Sequence, residues 1–188
     1  MRAGARRGPW RVVLIGPECT GKTRLAADLA ALYGVPWAPE YAREYVNSRS
    51  RLLSYADVDA IGRGQRAGED EAIARATAGG ARLVLLDTDL VSTMVYSRHY
   101  YGACPGWIEA EGGRRLGDLY LLHHVDVEWL PDGHQREQPE RRGELFERFR
   151  GTLAGLGATT ADVEGSWEER KRRAMAAIEQ ALSRTARP

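Results

Sequence analysis

The stretch that most constrains this chain is Gly16-Pro17-Glu18-Cys19-Thr20-Gly21-Lys22-Thr23. It lies between an apolar run, Val12-Val13-Leu14-Ile15, and a helical pattern, Leu25, Ala26, Leu29, Ala30 and Leu32. Strand, glycine-bounded loop and helix in that order match the phosphate-binding pattern G-x-x-x-x-G-K-[ST]. Gly16 and Gly21 let the backbone turn tightly and approach an anion closely. Successive N–H groups form a nest for phosphate oxygens, and the helix that follows adds the positive end of its dipole. Lys22 supplies a cation for the β- and γ-phosphates, and Thr23 supplies a hydroxyl for Mg²⁺. The expected ATP contacts are Gly16, Pro17, Glu18, Cys19, Thr20, Gly21, Lys22, Thr23 and Arg24.

Around this motif the chain reads as one domain. At 188 residues it is long enough for a five-stranded sheet covered on both faces. The net charge is +1 with 28% charged residues, so nothing points to a nucleic-acid or membrane-surface partner. No apolar run approaches the roughly 20 residues that span a bilayer. Cys19 and Cys104 do not make a disulfide framework. The expectation is a soluble, cytoplasmic domain over residues 10–182, a flexible basic arm over 1–9 carrying Arg2, Arg6 and Arg7, and a tail over 183–188.

Apolar runs predict strands over residues 10–15, 35–38, 83–86, 119–122 and 158–163. Helices are expected over 21–33, 55–78, 90–101, 141–156 and from Ser166 to about residue 182. Ser166 with Glu169 fits a capping box. Residues 39–45 read as a loop or helix start, and 102–113 as a loop. Strands alternate with helices, so the expected class is α/β: a P-loop NTPase with a parallel five-stranded sheet sandwiched by helices, like the nucleoside kinases. Ligands of such sheets sit outside the carboxyl ends of the strands, where Gly16, Glu40, Asp87 and Asp126 all fall.

Asp87 ends an apolar strand, where a carboxylate holds Mg²⁺ or takes the proton of an attacking hydroxyl. Asp87, Thr88 and Asp89 are also helix-cap candidates. Arg136 lies in a polar, glycine-containing stretch read as a lid around residues 131–143, with a catalytic role on the transferred phosphoryl group; Arg141 and Arg142 are the fallback. Glu40, Tyr41 and Arg43 fit the binding of sugar hydroxyls or an anion, or else a charged helix face. Tyr96, Tyr100, Tyr101 and Trp107 fit an aromatic wall, which suits a flat cationic ring, or core packing. Cys19 sits where helix N-termini activate thiols, and is otherwise a small packed residue. His99, His123, His124 and His134 show no metal-ligand spacing.

These elements together resemble the kinase domain of the NadR family. The resemblance rests on the phosphate loop, on Pro39-Glu40-Tyr41-Ala42-Arg43-Glu44-Tyr45, on Leu86-Asp87-Thr88-Asp89, on Asp118-Leu119-Tyr120-Leu121-Leu122 and on Asp132-Gly133-His134-Gln135-Arg136-Glu137. It implies a P-loop kinase that phosphorylates nicotinamide riboside with MgATP to give nicotinamide mononucleotide, a step of NAD biosynthesis. It implies that Glu40, Arg43, Asp87 and Asp89 face the riboside. The chain departs from the family pattern at Cys19, where a small hydroxyl residue is expected, and at Pro39, where a Trp is expected; Trp37 lies two residues earlier. Nothing in the chain resembles an adenylyltransferase or helix-turn-helix domain.

Lys22, Asp87 and Arg136 are thus the expected catalytic set, with Thr23 and Asp87 on the metal and Glu40, Tyr41, Arg43, Asp89, Tyr96 and Trp107 on the acceptor. A second reading is a nucleotide-hydrolysing switch that acts with a protein partner. The acidic and aromatic residues after the second and third strands favour the kinase.

Overall fold

The computed structural model describes residues 8–49, 51–128 and 139–185. Five parallel strands carry the fold: β1 (Trp10–Ile15), β2 (Trp37–Ala38), β3 (Leu83–Asp87), β4 (Leu119–His123) and β5 (Thr160–Val163), in the order β2-β3-β1-β4-β5. The first helices are α1 (Lys22–Tyr33), α2 (Tyr41–Asn47) and α3 (Val58–Ala78). They are followed by α4 (Leu90–Tyr101), α5 (Gly106–Arg114), α6 (Arg142–Gly155) and α7 (Trp167–Thr185).

The strand pleat decides which helix packs where. Val13 and Ile15 of β1 face a core with Val58, Val91, Met94, Ile108, Phe146 and Phe149, drawn from α3 to α6. Val12 and Leu14 face the other way, onto Leu25, Ala26, Leu29, Ala174 and Ile178 of α1 and α7. Both faces are covered, which is why the central strands are continuously apolar.

The order places β1 between β3 and β4, so the chain runs in opposite lateral directions on the two sides of β1. The loop after β1 opens at that switch point. Leu14 pairs with Asp87 and Ile15 with Leu122, which brings the ends of β3 and β4 level with the loop.

Several boundaries differ from expectation. Residues 106–114 form α5, not a loop. Gly112 is buried within that helix, and a Cβ there would make ordinary contact with the Leu90 backbone at 3.7 Å. The expected tail begins later, because α7 runs to Thr185. Residues 39–45 resolve into the start of α2, and the second strand shrinks to two paired residues. The helix expected over 55–78 begins with a 3-10 turn, Tyr55–Asp57, capped by a Ser54/Asp57 capping box. The capping box of Ser166 and Glu169 forms at 2.7–2.8 Å. Arg2, Arg6, Arg7 and most of the stretch read as a lid, with Arg136 and His134, lie outside the described residues. No helix among the described residues is long and apolar enough to cross a membrane.

Candidate active site

The phosphate loop is held by backbone contacts that leave little room for alternatives. Gly16 has φ 135°, and a Cβ there would stand 2.7 Å from the His123 carbonyl. Gly21 has φ 82°, and a Cβ there would press on the Trp167 ring at 3.0 Å. Only glycine fits either place. Thr20 donates to the Pro17 carbonyl at 2.9 Å, and Lys22 Nζ donates to the same oxygen at 2.6 Å. The start of α1 has no side-chain cap and no acidic residue in its first turn. Its first N–H groups are therefore available to an anion, and the dipole favours one.

Beneath the loop two buried side chains converge on the Thr20 carbonyl. His123 Nδ1 lies 3.1 Å from it and Arg170 Nη1 donates to it at 3.4 Å. Burial and the nearby Lys22 charge push the His123 imidazole down to about 3, so it is neutral and Nδ1 carries its proton. Arg170 is 1% exposed. It also donates to Gly165, Val163 and His124 carbonyls and pairs with Asp126. Those five acceptors match the five N–H bonds of a guanidinium. Arg170 ties the ends of β4 and β5 to the phosphate loop.

Asp87 is fully buried at the tip of β3. Its Oδ2 accepts from the Thr23 hydroxyl at 2.5 Å, while Oδ1 is buried without a partner. Burial first, and then the Glu40 charge, push this carboxyl up to about 6, against the pull of Lys22, Thr23 and Arg43. A buried acceptor left unmade is costly, so the free oxygen is a place for a ligand atom. The Thr23 hydroxyl and Asp87 Oδ1 are hard oxygen donors of the kind Mg²⁺ takes alongside phosphate oxygens and water. Among the described residues no group of three or more His, Cys, Asp or Glu is placed to hold a metal unaided.

A cleft of about 530 Å³ runs over this floor. Glu18 to Arg24 form one side, Glu40, Arg43 and Tyr96 another, and Gly165, Ser166, Trp167 and Arg170 a third. The Arg24 guanidinium lies on the Trp167 ring at 4.3 Å. A second, small cavity of about 30 Å³ adjoins it between α2, α3 and α4, and Glu40 and Tyr96 line both. The Tyr96 hydroxyl donates to Glu18 Oε2 at 3.1 Å, and burial pushes its ionisation well up, so it stays a donor. Its ring stacks parallel to Tyr100 and edge-on to Phe149.

The expected residues therefore divide. Gly16 to Arg24, Glu40, Arg43, Asp87 and Tyr96 come together. Asp89 does not face the cleft: Oδ1 caps α4 through the Val91 and Ser92 N–H groups, and Oδ2 accepts from Tyr120 at 2.6 Å. Both lone-pair sets are spent on the fold. Trp107 donates to Asp59 at 2.6 Å and carries Arg63 on its ring, away from the cavities. The Tyr41 ring packs toward Gly64 and Tyr45. Of the fallback arginines, Arg141 pairs with Glu144 on the surface. Arg142 is 7% exposed and donates to the Cys19 and Val127 carbonyls, with its Nε unpartnered. Of the two, it is the one that the structure brings against the phosphate loop, where Arg170 also bonds.

Gln65 was not singled out from the sequence, nor was Arg170 given a role on the phosphate loop, although a signal exists. Val58, Ile61, Gln65, Glu69, Ala72 and Ala76 form the buried stripe of α3, and Arg170 opens the stripe Ala174, Ile178 and Ala181 of α7. Polar residues at apolar-stripe positions mark buried polar partners.

The AAA domain model AAA_28 matches residues 11–170. The trifunctional NAD biosynthesis/regulator protein NadR of Salmonella typhimurium is 30% identical over 126 residues, 65% of this chain and 30% of that protein. The chain thus spans less than a third of the curated relatives it matches. A crystal structure of NadR protein in complex with NR superposes with a TM-score of 0.72 at 25% identity, over 95% of this chain and 51% of that one. NadR protein in complex with NAD and AMP-PNP gives 0.70 at 24%, over 93% and 50%. Thymidylate kinase from Ehrlichia chaffeensis gives 0.60 at 15%, over 92% and 98%, and shares the fold.

Proposed function

This chain belongs to the AAA_28 family of AAA domains, and from that premise we propose that it transfers the γ-phosphoryl group of ATP to nicotinamide riboside. It is a P-loop small-molecule kinase. The observation that carries the reading is one cleft lined by the phosphate loop, Glu40 and Arg43, with Asp87 buried close by, bonded to Thr23 and within electrostatic reach of Glu40, Lys22 and Arg43. The likeness to NadR in complex with NR supports the choice of acceptor. The pyridinium of the riboside is a flat cation, which suits the Glu40 carboxylate and the Tyr96 ring.

The loop N–H groups and the start of α1 hold the phosphates. Lys22 swings from the Pro17 carbonyl to the transferring group and offsets charge that grows there. Thr23 and Asp87 would hold Mg²⁺, which would supply charge neutralisation for the phosphates. Glu40 and Arg43 hold the ribose, with its primary hydroxyl toward Asp87. That oxygen bonds the γ-phosphorus, and the bond from phosphorus to the β,γ-bridging oxygen breaks. ADP leaves with the electron pair, and the hydroxyl proton passes to Asp87. Arg142 holds the loop from the far side, and Arg136 is the lid arginine of this reading.

The test is ADP release from MgATP across a panel of nucleosides. Nicotinamide riboside is expected to stimulate release, with the mononucleotide seen by mass spectrometry. Stimulation by a different nucleoside reassigns the acceptor, and release that no nucleoside changes overturns the kinase reading.

A further inference from the structure

Gln65 lies on the buried stripe of α3 and is 3% exposed. Both ends of its carboxamide are spent on the backbone of other elements. Oε1 accepts from the N–H of Tyr41 at 3.0 Å. That residue opens α2 and directly follows Glu40. Nε2 donates to the Thr88 carbonyl at 3.3 Å and to Glu69 Oε1 at 3.4 Å. Thr88 directly follows Asp87. Turning the amide over would set NH₂ against N–H and oxygen against carbonyl, so its orientation is fixed.

Thr88 has φ 70°, a left-handed conformation that a β-branched residue adopts only under constraint. Its N–H donates to the Leu14 carbonyl at 3.0 Å. Its own carbonyl is held by Gln65. The direction of the Asp87 carboxyl thus depends on a strained residue, Thr88, whose preceding peptide is braced from β1 and whose following peptide is braced from α3.

We propose that Gln65 is a positioning residue for phosphoryl transfer, a cross-brace that fixes the Thr88 carbonyl, and through Thr88 the end of β3, against the start of α2. It touches no reacting atom. It sets the separation between the carboxylate that takes the proton and Glu40, and so rests on the kinase reading above. Glu40, Gln65 and Thr88 all line the small cavity, so one side chain shapes the wall where the two elements meet.

Two substitutions test the brace in the full chain. Gln65→Met keeps length and removes all three bonds. Tyr41→Pro, read against Tyr41→Ala as the control for the lost ring contacts with Gly64 and Tyr45, removes the N–H that Gln65 accepts, at a first helical position where proline is well tolerated and after Glu40, whose ψ of 112° suits a following proline. Gln65→Met is expected to lower kcat and raise KM for nicotinamide riboside by about tenfold to a hundredfold in kcat/KM, the range that release of one strained residue allows. Tyr41→Pro is expected to raise that KM with a smaller change in kcat. Calorimetric affinity for metal-free ADP stays within about twofold of the parent in both, since the brace does not touch the phosphate loop.

The decisive readout is suppression. Glycine accepts a left-handed conformation freely, so in a Thr88→Gly background the loss from Gln65→Met shrinks to about threefold or less. Equal losses in both backgrounds, or a fall in ADP affinity that matches the rise in KM, overturn the proposal. A parent chain that turns over no nicotinamide riboside fails the acceptor reading instead. The brace is then read in slow MgATP hydrolysis, which needs Asp87 but no acceptor, with the same two backgrounds and the same required suppression.

Discussion

The two sides of the cleft are built in opposite ways. On the nucleotide side the supports beneath the phosphate loop are mostly engaged, and the first N–H groups of α1 are left for the ligand: Arg170 has five acceptors, Thr20 accepts twice on its carbonyl, and two glycines bring backbone within contact distance. On the acceptor side capacity is left over. Asp87 Oδ1 has no partner, Thr88 is strained, and Glu40 stands half-buried at the mouth of a small cavity. A saturated site fixes geometry before the ligand arrives, and an unsaturated one is completed by it.

Substitutions break this contrast at different points. The largest effect is expected from Lys22→Ala, which removes charge that matters most in the transition state and lowers kcat by about a hundredfold or more in an ADP-release assay. Retention of more than about a tenth of kcat contradicts its role. Next comes Arg170→Met, which removes a donor from the Thr20, Val163, Gly165 and His124 carbonyls and the charge partner of Asp126, leaving only His123 on Thr20, the His124 N–H on Val163 and the Gly165 N–H on Asp126. It is expected to cost about 3 kcal/mol or more in urea unfolding and to weaken ADP binding before it weakens acceptor binding. An unchanged urea midpoint would show that the saturation is decorative.

On the other side, Glu40→Gln keeps shape and removes charge. KM for the riboside is expected to rise about tenfold while KM for ATP stays level, as for one charge-assisted contact. The smallest effect separates the sides by acidity. Unfolded, His123 gains a proton below about pH 6.5. Folded, burial holds that back to about 3. Between those limits the unfolded chain binds the extra proton, so stability falls as pH is lowered, by about 1 kcal/mol at about pH 5.5, and above 6.5 the group contributes nothing. His123→Asn flattens that part of the urea-midpoint profile. A slope unchanged by the substitution would assign the acid sensitivity elsewhere.

How legible each side was follows from the same contrast. The phosphate loop is contiguous, and its spacing alone prescribes Gly16, Gly21, Lys22 and Thr23. The acceptor side is assembled from α2, α3, β3 and α4, which no local pattern joins. Asp89 shows the difficulty: an Asp before a helix carries the same local signal as cap or as ligand, and the tie is broken by Tyr120, thirty-one residues away. Trp107 was read with the tyrosines because aromatics cluster in sequence, yet its N–H finds Asp59 on α3. Strands and most helices followed from periodicity. The α5 helix was missed because Pro105 and the glycines at 106, 112 and 113 favour a loop on local propensity, whereas Ile108 anchors the segment in the core.

Tyr96 and Glu40 stand in the partition between the larger cleft and the small cavity. A partition with two faces transmits load. Nucleotide binding that shifts the Tyr96–Glu18 contact is expected to reach the other face, and thermodynamic reciprocity requires the return effect to be of equal size. On the proposed reading ADP and the riboside are therefore expected to alter one another's affinity by one shared factor, measured by calorimetry in both directions, and a factor of one would show that the partition couples nothing.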